Sequence, residues 1–211
     1  MSLLVALSRD HSGKPHKLRD RGAWGDLDSN GVSAVAEAEA FWTPLYLLHA
    51  EIRLIELGHS VYPVSDSRYS DRHDRVNTVG ADVYVAGHFN SLTGGTRSGH
   101  TGNYAAIFCD HRSAPGNGLA LANSIGQALG DTDAFPELKG NVRIFVARGT
   151  DWTKNAYSTI RGLRKPVGIC FEPAFMDHAD HRPLFTPDGM RRIGYALAEG
   201  IDAWGKAREN T

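Results

Sequence analysis

Gly80-Ala81-Asp82-Val83-Tyr84-Val85-Ala86-Gly87-His88-Phe89-Asn90-Ser91 is a short apolar run that ends in Gly-His and opens into a loop carrying Gly94, Gly95, Gly99 and Gly102. A run of this kind, rich in β-branched and aromatic residues, reads as a buried strand that delivers His88 at its carboxyl end. In open α/β sheets ligands bind at the carboxyl ends of strands, so a histidine there is well placed for chemistry. The plainer alternative is a histidine that caps the strand by hydrogen bonding, and the rest of the chain has to decide between the two.

Working outward from this strand, the same pattern recurs. The run Leu3–Ser8 has strand character and leads to another histidine in Asp10-His11-Ser12-Gly13, followed by a polar stretch from Lys14 to Asn30 that reads as a long surface loop, of the sort that is usually functional or mobile and a candidate border for a substrate groove. From about Ser33 to Leu57, the residues Phe41, Leu45, Leu48, Ile52 and Ile55 recur at three- and four-residue steps and predict a helix with that apolar face, ended by Gly58. Pro44 either bends this helix or is its first helical residue after a Thr43 cap, and in both cases Glu37 and Glu39 lie near its N-terminal end.

Ser60–Val64 reads as a strand near a sheet edge because of Pro63, and Asp71–Asn77 as a short helix leading into the central strand. Tyr104–Cys109, Val142–Val146 and Pro166–Glu172 are further strands. A helix with Leu119, Ala122, Ile125 and Leu129 on one face follows the first of these, and Trp152–Leu163 reads equally as loop or short helix. Thr186-Pro187 starts the last helix as cap and first residue, with Ile193, Leu197, Ile201 and Trp204 on its apolar face. Alternating strands and helices predict a single α/β domain over residues 1–211, a mostly parallel twisted sheet of about six strands with helices on both faces.

A chain of 211 residues is long enough to bury one continuous core. With a formal net charge of −1 and a sequence pI near 6.8, no strong field favours nucleic acid or an anionic membrane, and neither is expected as a partner. No run reaches the length of a membrane span and the N-terminus lacks a basic region, so the expectation is a product that stays in the cytoplasm until released. Cys109 and Cys170 each stand in a strand-like apolar run, as buried reduced thiols do, and two cysteines exclude a four-cysteine zinc site.

Three predicted strands thus end in groups that bind metals or move protons: His11, His88 and Glu172. With the acidic start of the first long helix, Glu37 or Glu39, the set is two histidines and two carboxylates. A catalytic zinc site needs three protein ligands, often two His and one carboxylate, which leaves the other carboxylate free as general base. The alternatives are plain: a solvated loop for His11, and helix-dipole partners for Glu37 and Glu39. Glu172 is harder to dismiss, since a carboxylate directly after Val-Gly-Ile-Cys-Phe is costly to bury unpaired. His178 and His181 sit among turn residues and are expected at the surface.

In this order of parts the chain resembles the zinc-dependent N-acetylmuramoyl-L-alanine amidases, the catalytic domains of bacterial autolysins and phage endolysins. The resemblance runs from Leu3 to about Ile201 and rests on His11 after the first strand, Glu39 at the following helix, Gly80-Ala81-Asp82 with His88-Phe89-Asn90, and Glu172 with Phe175. Two positions depart from the family pattern: His11 lacks the usual flanking glycines, and Gly87 stands where a larger apolar residue is common. The resemblance implies that His11, Glu39 (with Glu37 as the alternative) and His88 hold Zn²⁺. It further implies that Glu172 takes a proton from the attacking water and returns it to the leaving amine. The implied substrate is peptidoglycan, cut between the lactyl group of N-acetylmuramic acid and L-alanine by a monomer. The lack of a signal peptide or wall-binding domain fits a phage endolysin. Two other readings stay open: a zinc carboxypeptidase-like amidohydrolase, and an inactive wall-binding module.

Overall fold

The computed structural model describes residues 1–9, 38–65, 68–91, 102–110, 116–147 and 155–209. Among these residues six strands form one sheet: β1 (Leu4–Arg9), β2 (Ser60–Val64), β3 (Val83–Gly87), β4 (Ala105–Cys109), β5 (Val142–Val146) and β6 (Val167–Glu172), in the order β2-β1-β3-β6-β4-β5. All neighbours run parallel except β4, which is antiparallel to β6. The expected α/β architecture is therefore present, with Pro63 on an edge strand as its missing N–H requires. The register makes Arg9, Gly87 and Phe171 level on three adjacent parallel strands. His88, which follows Gly87, and Glu172, the last residue of β6, therefore stand at the same edge of the sheet.

Strand side chains alternate between two faces. Val5, Leu7, Val83, Val85, Ile169 and Phe171 point to the face covered by α1 (Glu39–Glu56), α3 (Asn117–Leu129) and α5 (Pro187–Glu209). Ala6, Tyr84, Ala86 and Cys170 point to the other, covered by Val76 of α2 (Tyr69–Val79) and by Tyr157 and Ile160 in and after α4 (Asn155–Ser158). Gly58 and Gly80, with φ of 87° and 71°, stop α1 and α2 in the left-handed conformation that L side chains avoid. The last helix starts as expected, with Thr186 Oγ1 accepting the Gly189 N–H at 3.0 Å and with Ile193, Leu197, Ile201 and Trp204 buried.

In α1 the structure selects one of the two alternatives for Pro44 and departs from the expected apolar face. The helix begins at Glu39 after Ala38 and contains Pro44 in its second turn, so Pro44 is not the first helical residue. The face that packs inward is Thr43, Tyr46, Leu47, Ala50 and Leu54, whereas Phe41, Leu48, Ile52 and Ile55 are exposed and Leu45 is half-buried. The cause lies in α5: a Cβ on Gly194 would strike the Tyr46 carbonyl, His49 and the Ala50 backbone, so the two helices approach too closely for a bulkier α1 face. Leu119 on α3 is likewise exposed.

On the opposite face, His73 of α2 is buried and donates from Nε2 to the Thr159 carbonyl at 2.6 Å. Burial holds its pKa below the ordinary value, with the nearby Arg72 acting in the same direction against the Thr159 bond. The folded state thus binds a proton on His73 less readily than the unfolded chain does. That stability is present above the unfolded pKa of about 6.5 and is lost as pH falls below it. The expected result is a smaller fall in Tm between neutral and mildly acidic pH for His73→Gln than for the natural chain, measured by thermal melts.

Candidate active site

Glu39 opens α1 at the carboxyl edge of the sheet, where an acidic first-turn residue is favoured by the helix dipole. The residue is 2% exposed with its side chain turned inward, Oε1 at 2.7 Å from Nδ1 of His88, a residue itself 8% exposed. The same oxygen accepts the Phe89 N–H at 3.0 Å. Two residues 49 positions apart thus share one buried pair, and Glu39 is the glutamate the helix start places there. The backbone of His88 is fixed on both sides: its N–H donates to the Phe171 carbonyl at 2.9 Å, and its carbonyl accepts from the Tyr46 hydroxyl at 3.3 Å. Burial raises the Tyr46 pKa well above its usual value, and the Glu39 charge adds to it, so this hydroxyl stays protonated as a donor.

Gly87 permits this closeness. A Cβ there would stand 2.7 Å from the Tyr46 hydroxyl and 2.8 Å from Leu47 Cδ1, so α1 lies directly against the end of β3. Tyr46 and Leu47 fill the space that a larger residue at this position would take. A Gly87→Ala change asks only side-chain ends to give. Gly87→Val adds two methyls, is expected to cost about 1–3 kcal/mol, and separates Glu39 from His88. A lower Tm together with a longer Glu39–His88 distance in the variant's crystal structure would check it.

Glu172 ends β6 beside this pair. Oε2 accepts from Asn90 Nδ2 at 2.6 Å, and Oε1 is 3.8 Å from the Cys170 thiol. Burial pushes its carboxyl up to about 7, opposed by His88 and reinforced by the Glu39 charge. A carboxylate with that proton affinity is suited to take and return a proton near neutral pH. Burial also pushes Cys170 well above the usual thiol range, with the Glu172 charge adding to it, so it remains the inert buried thiol expected of it.

His11 and Glu37 lie outside the described residues; β1 ends at Arg9, two residues before His11. Among the described residues no group of three His, Cys, Asp or Glu side chains stands together as a metal site. The donor set that is described fits zinc in kind: a buried carboxylate and a buried imidazole nitrogen converge at 2.7 Å, two of the three donors a catalytic site uses. A metal taking both atoms releases the proton they share.

One expectation is corrected. His181 is not a surface residue: it is 0% exposed, within a 3₁₀ turn over Ala179–Leu184, while His178 is half-buried. The Asp and Pro neighbours did mark a turn, but the turn folds back so that His181 Nδ1 accepts the Phe175 N–H. The part of Asn90 was also missed. Asn90 stood in the sequence reading only as the last residue of the His88-Phe89-Asn90 motif, with no role given to its bond to Glu172.

No family model matches the chain, and no curated protein matches it by sequence. Solved structures do. The catalytic domain of CwlV, N-acetylmuramoyl-L-alanine amidase from Bacillus (Paenibacillus) polymyxa var. colistinus, is similar with a TM-score of 0.68 at 18% identity, over 98% of this chain and 99% of that one. N-acetylmuramoyl-L-alanine amidase AmiC2 of Nostoc punctiforme gives 0.69 at 18% identity over 97% of each chain. Cwp6 from Clostridium difficile gives 0.73 at 20% identity over 96% of this chain, which spans only 29% of the Cwp6 chain. The six-stranded sheet with its antiparallel β4 and its covering helices is the fold of the N-acetylmuramoyl-L-alanine amidase catalytic domains.

Proposed function

We propose that this chain is a peptidoglycan hydrolase, a zinc-dependent N-acetylmuramoyl-L-alanine amidase that cuts the lactyl–L-alanine amide. The observation that carries the reading is the buried His88–Glu39 pair at 2.7 Å, with Glu172 leaving the adjacent strand at the same edge. Similarity of fold to amidase domains supports it, and so does the position of His11 just beyond β1, the third of the three neighbouring strands.

In this reading Glu39 and His88, with His11, hold Zn²⁺. When bound there, the ion supplies a Lewis acid for the scissile carbonyl and lowers the pKa of water to about 7. Glu172 accepts the proton of the attacking water as its oxygen bonds to the carbonyl carbon. The same carboxyl then gives that proton to the L-alanine nitrogen as the C–N bond breaks, which leaves a lactyl carboxylic acid and a free amine, and the acid's proton passes to the amine at neutral pH. Burial of Glu39 and His88 keeps competing water from the metal-binding atoms, and the Tyr46 hydroxyl holds the strand end that carries His88.

The test is digestion of peptidoglycan with product analysis by mass spectrometry, with and without a chelator. New amino termini on L-alanine, lost on chelation and restored by zinc, are the expected result. Release of a C-terminal residue would support a carboxypeptidase instead, and binding to sacculi without any released peptide would support an inactive wall-binding module.

A further inference from the structure

Beyond β3 and β6 the two chains stay zipped together. Asn90 donates its backbone N–H to the Ala174 carbonyl and accepts from the Met176 N–H, both at 2.9 Å, so that it faces Phe175 in a parallel bridge. With its backbone tied at both ends, Asn90 aims its side-chain amide at Oε2 of Glu172, the 2.6 Å bond described above. A carboxylate only accepts, so the amide is oriented with its nitrogen toward Glu172. Ser91 adds a bond from Oγ to Asp177 Oδ2 at 2.8 Å on the same seam.

The other side of the 174–176 segment is held by His181. The Phe175 N–H donates to His181 Nδ1 at 2.8 Å. Nδ1 therefore carries no proton, so Nε2 does, and it donates to Asn103 Oδ1 at 2.9 Å. Asn103 Nδ2 in turn donates to Asp180 Oδ2 at 2.9 Å, which also meets the Lys139 ammonium at 2.7 Å. The imidazole is fully buried and fixed as a single neutral tautomer, and the Phe175 ring packs edge-on against Tyr104. This is a rigid backing for one peptide segment whose opposite edge sets Asn90.

We propose that His181 is a positioning residue for Glu172: it fixes the 174–176 segment, which fixes Asn90, which orients the carboxylate that handles the proton. The catalytic consequence rests on the amidase reading above; the orientation of Glu172 does not. A residue so deeply buried does not touch substrate, so its loss acts on turnover through geometry. Small misplacement of a reacting group costs about 10–100-fold in rate.

The experiment compares the natural chain with His181→Ala, His181→Asn and Asn90→Ala in the zinc-loaded state, by kinetics and by crystal structures. Asn at position 181 keeps an acceptor close to the place of Nδ1. Expected for both alanine variants are a fall in kcat of about 10–100-fold with KM and zinc content unchanged, and a Glu172 carboxylate turned from its single orientation. His181→Asn is expected to restore most of the kcat and the orientation. A merely structural histidine would lower Tm and leave both readouts unmoved. Wild-type kcat in both alanine variants, or an unchanged Glu172 in their crystals, overturns the proposal. Should His181→Ala fail to fold, Asn103→Ala, which removes the outer link alone, takes its place with the same two outcomes. If the natural chain cuts no amide, the amidase reading fails by itself, and the crystallographic comparison still decides the positioning role.

Discussion

Glu172→Gln is expected to lower kcat by about 10²–10⁴-fold, the range that a positioned general acid–base supplies, with zinc content and fold unchanged. The amide keeps the size of the carboxyl and leaves an oxygen to accept from Asn90 Nδ2, so the 2.6 Å contact survives in kind. What it loses is the ability to accept and return a proton. Burial already disfavours the charged form of this side chain, which is why its carboxyl titrates near 7. A neutral amide removes that cost, so Tm should hold or rise. Single-turnover kinetics on a muramyl peptide, zinc by elemental analysis and a thermal melt together check all three points. Full turnover in this variant would remove Glu172 from the chemistry; lost zinc would make it a ligand instead.

Glu39→Ala is expected to do the opposite: zinc falls to background, activity falls with it, and Tm drops as well. The substitution removes the acceptor of both His88 Nδ1 and the Phe89 N–H, at a site where Glu39 is 2% exposed. Removing the partner of a buried donor costs about 1–3 kcal/mol, which for a chain of this size is roughly 2–12 °C in Tm. Zinc added to the natural chain should raise Tm by mass action, and the same addition should not move the variant. Glu37→Ala is the control, expected to keep both zinc and Tm. Stoichiometric zinc in Glu39→Ala with none in Glu37→Ala would exchange the two assignments.

Much of this site was legible in the chain because strand ends are marked locally. An apolar run followed by Gly-His, and another followed directly by Glu, announce their own polarity and the places where buried backbone stops. Glu39 was legible only by its place near a helix start, and the alternative at Glu37 could not be closed, because helix boundaries shift by one or two residues with little change in sequence signal. His181 was misread for a related reason. Its neighbours describe a turn, and a turn says nothing about what the turn folds against.

Helix α1 shows the same limit in packing. Its apolar residues form two stripes, Phe41–Leu48–Ile52–Ile55 and Tyr46–Leu47–Ala50–Leu54, and periodicity alone favours the bulkier one. The second is buried because Gly194, 144 positions after Ala50, lets α5 come close only to that side. By itself the sequence determined the α/β alternation, the edge place of Pro63, the cap of the last helix and the placing of His88 and Glu172 at strand ends, since each depends on residues adjacent in the chain. Only the tertiary structure decided the strand order that sets His88 beside Glu172, the α1 face that brings Glu39 to Nδ1, and the burial of His181. Those depend on close contacts between residues dozens of positions apart, where steric fit rather than local pattern selects the partner.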